Sequence, residues 1–168
     1  VRASYLFNSG IAGIEDADCL LLIGSNPRWE APLVNARIRK RWLAGEFQVA
    51  SIGVPHDLTF PVSHLGTGPD ALEGLMKGGP FADVLKSAER PMIIIGQGAL
   101  TRPDGDKVLH AARVLAETVG AISETWNGFN VLHTAAARVG GLDLGFVPAV
   151  GGRDVRGILD GAASGAID

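Results

Sequence analysis

The chain has 168 residues and a single cysteine, Cys19. One thiol cannot build an internal disulfide framework, nor can it supply the four ligands of a self-contained iron–sulfur cluster. Cys19 opens an apolar run, where a cysteine serves as a small buried hydrophobe. No apolar run approaches the roughly 20 residues needed to span a bilayer, and no signal peptide is evident. The net charge of -3 gives no support for nucleic-acid binding. The four histidines, His56, His64, His110 and His133, lack zinc-binding spacing and have no cysteines to join them. There is no G-x-x-x-x-G-K-[ST] loop, no G-x-S-x-G elbow and no G-x-G-x-x-G fingerprint. The chain begins at Val1 without a methionine and is read as a piece excised from something longer.

What is present fits a soluble globular class, with 46% hydrophobic and 20% charged residues. A chain of this size buries a sizeable core without staples. Residues 1–168 are read as a single α/β domain. Its organising stretch is Asp18 to Pro32, DCLLLIGSNPRWEAP. The unbroken apolar run Cys19 to Ile23 suits a strand covered on both faces, as in the centre of a parallel sheet. Gly24-Ser25-Asn26-Pro27 turns the chain, and Pro32 suits the first turn of the helix that follows. A strand, a tight turn and a helix place loops at the carboxyl edge of an open α/β sheet, where ligands bind.

The rest follows the same grammar. Residues 5–14 read as a loop with one helical turn. Ala31 to Leu43 reads as a helix with Val34, Ile38 and Trp42 as its buried stripe, Leu33 beside it and Gly45 as its stop. Arg37, Arg39, Lys40 and Arg41 are either an anion or partner site, or a solvated face that complements the helix C-terminus. Phe47 to Ile52 is a second strand, and Val62 to Leu65 a short extended piece. Asp70 to Lys77 is a helix with Leu72, Leu75 and Met76 inward, and Phe81 to Ser87 another. Met92 to Ile95 is a further buried strand that runs into Gly96-Gln97-Gly98. Asp104 to Thr118 is the clearest helix, capped by Gly120. Beyond it, Trp126-Asn127-Gly128 is a turn. Val131 to Val139 is a helix ended by Gly140-Gly141, Leu142 to Val150 a loop anchored by Leu144, Phe146 and Val147, and Arg153 to Asp160 a last helix. The chain then ends in AASGAID, and the strand to which a βαβ sheet should return after this last helix is absent, which again reads as truncation. The repeated IGSNP and IGQGA turns suggest right-handed crossovers in one sheet.

No acid–base pair or nucleophile set assembles from these residues. The glycine turns could present free N–H groups to a phosphate, or could simply be tight βα turns. Glu30 beside Arg28 reads as a loop ion pair. Trp29 and Trp126 are either core residues or anchors for a neighbour.

The stretch DCLLLIGSNPRWEAPLVNARIRKRWL resembles the strand–turn–helix of the molybdopterin oxidoreductase superfamily. YLFNSGIAGIEDAD, RPMIIIGQGALTRPDG and VLHTAAARVGGLDLGFVP narrow the likeness to the G-subunit family of respiratory complex I, the NADH-quinone oxidoreductases. The resemblance implies an open, mainly parallel Rossmann-like sheet with helices on both faces, truncated from a C-terminal region. It implies a parent enzyme that carries electrons from NADH through iron–sulfur clusters to quinone, coupled to proton translocation. Those clusters would lie elsewhere in the parent subunit. This piece would be non-catalytic, with no metal and no cofactor of its own, and a vestigial pterin-nucleotide edge at Gly24, Ser25, Asn26, Gly96 and Gly98. Where related molybdoenzymes carry an Asp-Pro-Arg motif after the second strand, SIGVPHDLTF puts Gly53 in place of the acid. The implied partners are other domains of the same subunit and other peripheral-arm subunits, with no nucleic acid and no direct membrane insertion. The implied location is the cytoplasmic face of the bacterial inner membrane, or the matrix side in mitochondria. The alternative is a fragment of an active, formate dehydrogenase-like oxidoreductase dependent on molybdopterin guanine dinucleotide. A free-standing nucleotide-binding module is a third reading.

Overall fold

Cys19–Ile23 is strand β1, and every one of its five residues is buried. The computed structural model describes residues 2–167. It places β1 at the centre of a five-stranded sheet. On one side lie β2 (Gln48–Ile52) and then β3 (Ser63–Gly66). On the other lie β4 (Pro91–Ile95) and then β5 (Phe129–Val131). The order is β3-β2-β1-β4-β5, and every pairing is parallel.

A strand with no polar alternation needs cover on both faces, and β1 has it. Cys19, Leu21 and Ile23 share a core with Leu72 of α3 (Pro69–Lys77), Leu85 of α4 (Pro80–Ser87) and Ala112 of α6 (Gly105–Thr118). Leu20 and Leu22 point the other way, into a core with Val34 and Ile38 of α2 (Pro32–Leu43), Phe47 and Met92. Two single-turn helices complete the edge at the carboxyl ends of the strands: α1 (Pro27–Glu30) after β1 and α5 (Gln97–Leu100) after β4. The expected α/β architecture, an open parallel sheet with helices on both faces, is the one found. Burial pushes the Cys19 thiol up to about 12, assisted by the neighbouring Asp18 charge, so it stays protonated and packed.

The chain divides into two compact units, Val1–Thr134 and Ala135–Asp168. The sheet lies wholly in the first. The sequence reading takes residues 1–168 together as one α/β domain. The second unit carries α7 (Ala137–Asp143) and α8 (Val155–Ala163), the latter capped by Asp154, whose carboxylate accepts the Gly157 N–H at 2.8 Å.

Several expectations are corrected. Between the Trp126-Asn127-Gly128 turn and the helix expected from Val131, where the sequence reading assigns no element, lies β5, which continues the sheet beyond β4. The helix expected from Val131 begins only at Ala137, so His133 lies outside it, with its Nε2 at 2.7 Å from the Tyr5 carbonyl oxygen. Gly140 and Gly141 sit inside α7. Its stop is Gly145 (φ +70), where the Phe146 N–H reaches the Gly141 carbonyl at 2.8 Å and the Gly145 N–H reaches Leu142. Leu144 and Phe146, expected as anchors, are 85% and 89% exposed. Met76 is 40% exposed, whereas Leu72 and Leu75 turn inward. The last helix starts at Val155 and runs to Ala163. Residues 5–14 are more than a loop. Phe7 makes an antiparallel bridge to Asn130, and the Val131 N–H donates to the Leu6 carbonyl at 2.9 Å, so the outer edge of β5 is covered.

Candidate functional site

The connections after β1, β2, β3 and β4 meet at the carboxyl end of the sheet, and the chain reverses its direction of sheet growth between β1 and β4. That switch point is the standard location of a ligand crevice in open α/β sheets. A cleft of about 230 Å³ lies there, lined in part by Gly24, Ser25, Asn26, Gly53, His56 and Arg102. Gly98 also lines it, and the fifth sequence-predicted residue, Gly96, lies at the adjoining turn.

The glycines of the two turns press on one another. Gly24 has φ +56, and a Cβ there would lie 2.4 Å from the Ala99 nitrogen. A Cβ on Gly98 would lie 2.7 Å from the Gly24 carbonyl oxygen, and one on Gly96 2.6 Å from the Ser25 Cβ. These positions are glycine because backbone meets backbone there. The N–H groups of two of them are also committed: Gly24 donates to Ile52 O and Gly96 to Ile23 O, both at 2.8 Å.

Two further polar groups of the first turn are held by Glu30, and here the structure departs from the expected pairing. Glu30 does not meet Arg28. Its Oε1 accepts the Asn26 N–H at 2.7 Å and its Oε2 accepts the Ser25 hydroxyl at 3.3 Å. Arg28 instead donates to Asp57, at 2.9 Å to the carbonyl and 2.6 Å to the carboxylate. The Thr59 N–H and then Arg28 hold the Asp57 carboxyl below its usual range. Arg102 is engaged by a two-point contact with Asp104 at 2.7 and 2.9 Å, which in turn lowers Asp104. The Asn26 Oδ1 is buried with no hydrogen-bond partner among the described residues. The Glu30 contact is not visible in sequence because its partners are set by the fold of α1. The available signal is the spacing, a carboxylate four residues after the asparagine of an Asn-Pro turn.

The basic run on α2 is spent inside the molecule. Arg37 and Lys40 both meet Glu15, the latter at 2.5 Å. Arg39 donates to the Thr59 carbonyl. Arg41 donates to the Ala17 and Gly45 carbonyls at 2.8 and 2.7 Å, and its guanidinium stacks 4.8 Å from the Phe47 ring centre. Trp126 is half-buried and donates its indole N–H to Pro91 O at 2.8 Å. Trp29 stands 80% exposed beside the switch-point turn and remains the better interface candidate. Among the described residues there is no cluster of His, Cys, Asp and Glu able to hold a metal, and no helix long and apolar enough to cross a membrane.

Comparison with known proteins agrees with this architecture. The family model described as molybdopterin oxidoreductase matches residues 1–159. The chain is 44% identical over 155 residues to the 78 kDa subunit of mitochondrial NADH-ubiquinone oxidoreductase from Neurospora crassa, covering 87% of this chain and 20% of that protein. It is 43% identical over 151 residues to the G subunit of NADH-quinone oxidoreductase from Rickettsia bellii, covering 89% and 22%. It is 43% identical over 145 residues to the 75 kDa subunit of NADH-ubiquinone oxidoreductase from Reclinomonas americana, covering 86% and 21%. The chain thus spans about a fifth of the length of the curated relatives it matches.

Proposed function

The chain belongs to the molybdopterin oxidoreductase family, and from that premise we propose that it is a non-catalytic scaffold domain of the G subunit of respiratory complex I, with no cofactor of its own. The observation that carries the reading is its 42–44% identity, over most of its length, to subunits named for NADH oxidation with quinone. Those names favour it over the formate dehydrogenase-like alternative. In the parent complex, electrons pass from NADH through iron–sulfur clusters outside this chain to quinone, coupled to proton translocation. The domain supports other domains of the same subunit and other peripheral-arm subunits, on the cytoplasmic face of a bacterial membrane or the matrix side in mitochondria.

The donor set at the switch point supports the cofactor-free part of this reading. A pterin nucleotide brings phosphates, which need free N–H groups and positive charge. Here the Gly24 and Gly96 N–H groups serve the sheet, the Asn26 N–H is taken by a carboxylate, and Arg102 is engaged by Asp104. The Gly24 and Gly98 backbones pack against each other between the two turns. Gly53 offers no carboxylate to grip a guanine or ribose. These residues do not fit the group.

The test is the metal and pterin content of the full-length parent, purified anaerobically. Iron without molybdenum, tungsten or pterin is the expected result. Molybdenum or tungsten with one or two pterins per chain, and the switch-point residues in contact with them, would overturn the reading.

A further inference from the structure

The second unit, Ala135–Asp168, carries its apolar side chains outward. Among its described residues no hydrophobic side chain is buried. α8 places Val155, Ile158, Leu159 and Ala162 at i, i+3, i+4 and i+7, the spacing of a helix face that belongs against a core. All four are exposed. The side turned inward is the glycine side. Gly161 is buried, and a Cβ there would lie 2.2 Å from an Arg153 nitrogen and 2.6 Å from the Ile167 Cδ1. Leu144, Phe146, Val147 and Val150, in the stretch before the helix, are exposed as well. Residues 144–159 thus hold seven of the thirteen large hydrophobics exposed among the described residues. Scattered ones need no explanation, but a concentration of them marks a contact surface. A unit below about 40 residues also rarely supplies its own core without staples. This one has no cysteine and, among the described residues, no metal cluster.

The chemistry of the face narrows what covers it. Residues 135–168 hold three arginines against four aspartates and no lysine. A helix that lies on a membrane surface or on nucleic acid carries a basic excess. Here Arg156 and Asp160 pair with each other at 3.8 Å beside the stripe. The face suits an apolar protein surface. The family match runs to residue 159, so residues 144–159 belong to the family's fold and not to an appendage. About four-fifths of each relative's length lies outside the stretch that this chain matches.

We propose that the face formed by residues 144–159 is an internal contact of the parent subunit, covered by an apolar surface from the part of that subunit outside this chain. The inference deepens the scaffold reading and rests on it. It names the surface through which the domain joins the rest of its subunit.

The experiment compares amide hydrogen exchange at residues 144–163 in the 168-residue chain and in the free full-length parent subunit, with β1 as the internal reference. Exchange is expected to be at least tenfold slower in the parent, with β1 unchanged. Phe146→Ser and Ile158→Ser are expected to leave the urea midpoint of the 168-residue chain unaltered and to return the parent's exchange toward that of the chain. Phe146 lies outside α8, so its variant decides if Ile158→Ser disrupts the helix. Equal exchange in chain and parent would overturn the proposal, as would protection in the parent that survives both substitutions. Protection that appears only in the assembled complex assigns the face to another subunit and also overturns it. Sedimentation of the 168-residue chain is expected to show a monomer. A dimer that slows exchange at residues 144–163 to the parent's rate would give the face to a second copy instead. The metal and pterin content of the same parent preparation reports on the cofactor-free reading whatever the exchange rates, so the two fail separately.

Discussion

At the scale of single residues, the switch point is governed by how closely two backbones approach. Gly24 is the clearest case, with a left-handed φ and no room for a Cβ against Ala99. Gly24→Ala adds the strain of a left-handed alanine to overpacking against a neighbouring turn. Together these are expected to cost about 2–5 kcal/mol. Urea unfolding followed by circular dichroism measures it, and a midpoint within error of the unaltered chain would refute the close approach. The glycine pattern is legible in IGSNP and IGQGA, but its purpose is not. Sequence shows that a turn is glycine-rich. Whether the missing Cβ makes room for a ligand or for another turn depends on what lies across the edge. The role of the Glu30 carboxylate is hidden for the same reason, because Arg28 is its neighbour in sequence and the Asn26 N–H its neighbour in space.

At the scale of elements, what is legible is what repeats. The apolar runs of β1 and β4 and the 3.6-residue stripe of α6 announce themselves, because several consecutive residues must agree to bury them. β5 does not, being three residues long with Asn130 at its centre. Asn130 is nevertheless buried and bonded at both ends of its amide. Its Oδ1 accepts the Ser9 N–H at 3.0 Å and the Ser9 hydroxyl at 3.2 Å, while its Nδ2 donates to Gly128 O at 3.1 Å. A polar residue in a strand reads as a break, yet here it fastens residues 6–9 along an otherwise open edge. Asn130→Ala leaves those groups unpaired and is expected to cost about 1–3 kcal/mol. It should also speed amide exchange at Ser9 and Val131 ahead of β1. Unchanged protection at Ser9 would show that the segment is held by other contacts. α7 misleads for the opposite reason. Its Gly140-Gly141 pair resembles a stop, but the helix bonds run on to the left-handed residue at Gly145.

At the scale of the whole molecule, the surface charges set an acid limit. The Glu15 carboxyl is lowered chiefly by its hydrogen bond from Lys40, opposed by partial burial and reinforced by Arg37. Asp57 and Asp104 are lowered as well. A carboxyl depressed in the folded state stabilises above its unfolded value, near pH 4, and that contribution is lost as pH falls through the folded value. The urea midpoint should therefore be lower at about pH 3 than at about pH 7, the difference should shrink in high salt, and Glu15→Gln should remove part of it. A midpoint equal at both pH values would refute this. The parallel order of the sheet has a different consequence, in time rather than in energy. Cys19 pairs with Gln48 on one side and with Pro91 on the other, so the central strand is synthesised well before its second neighbour exists. While the ribosome adds the residues between them, CLLLI has no complete shelter, and distant pairings of this kind form slowly and leave apolar segments open to aggregation. A strand wholly buried in the finished domain is thus left open to aggregation during its making.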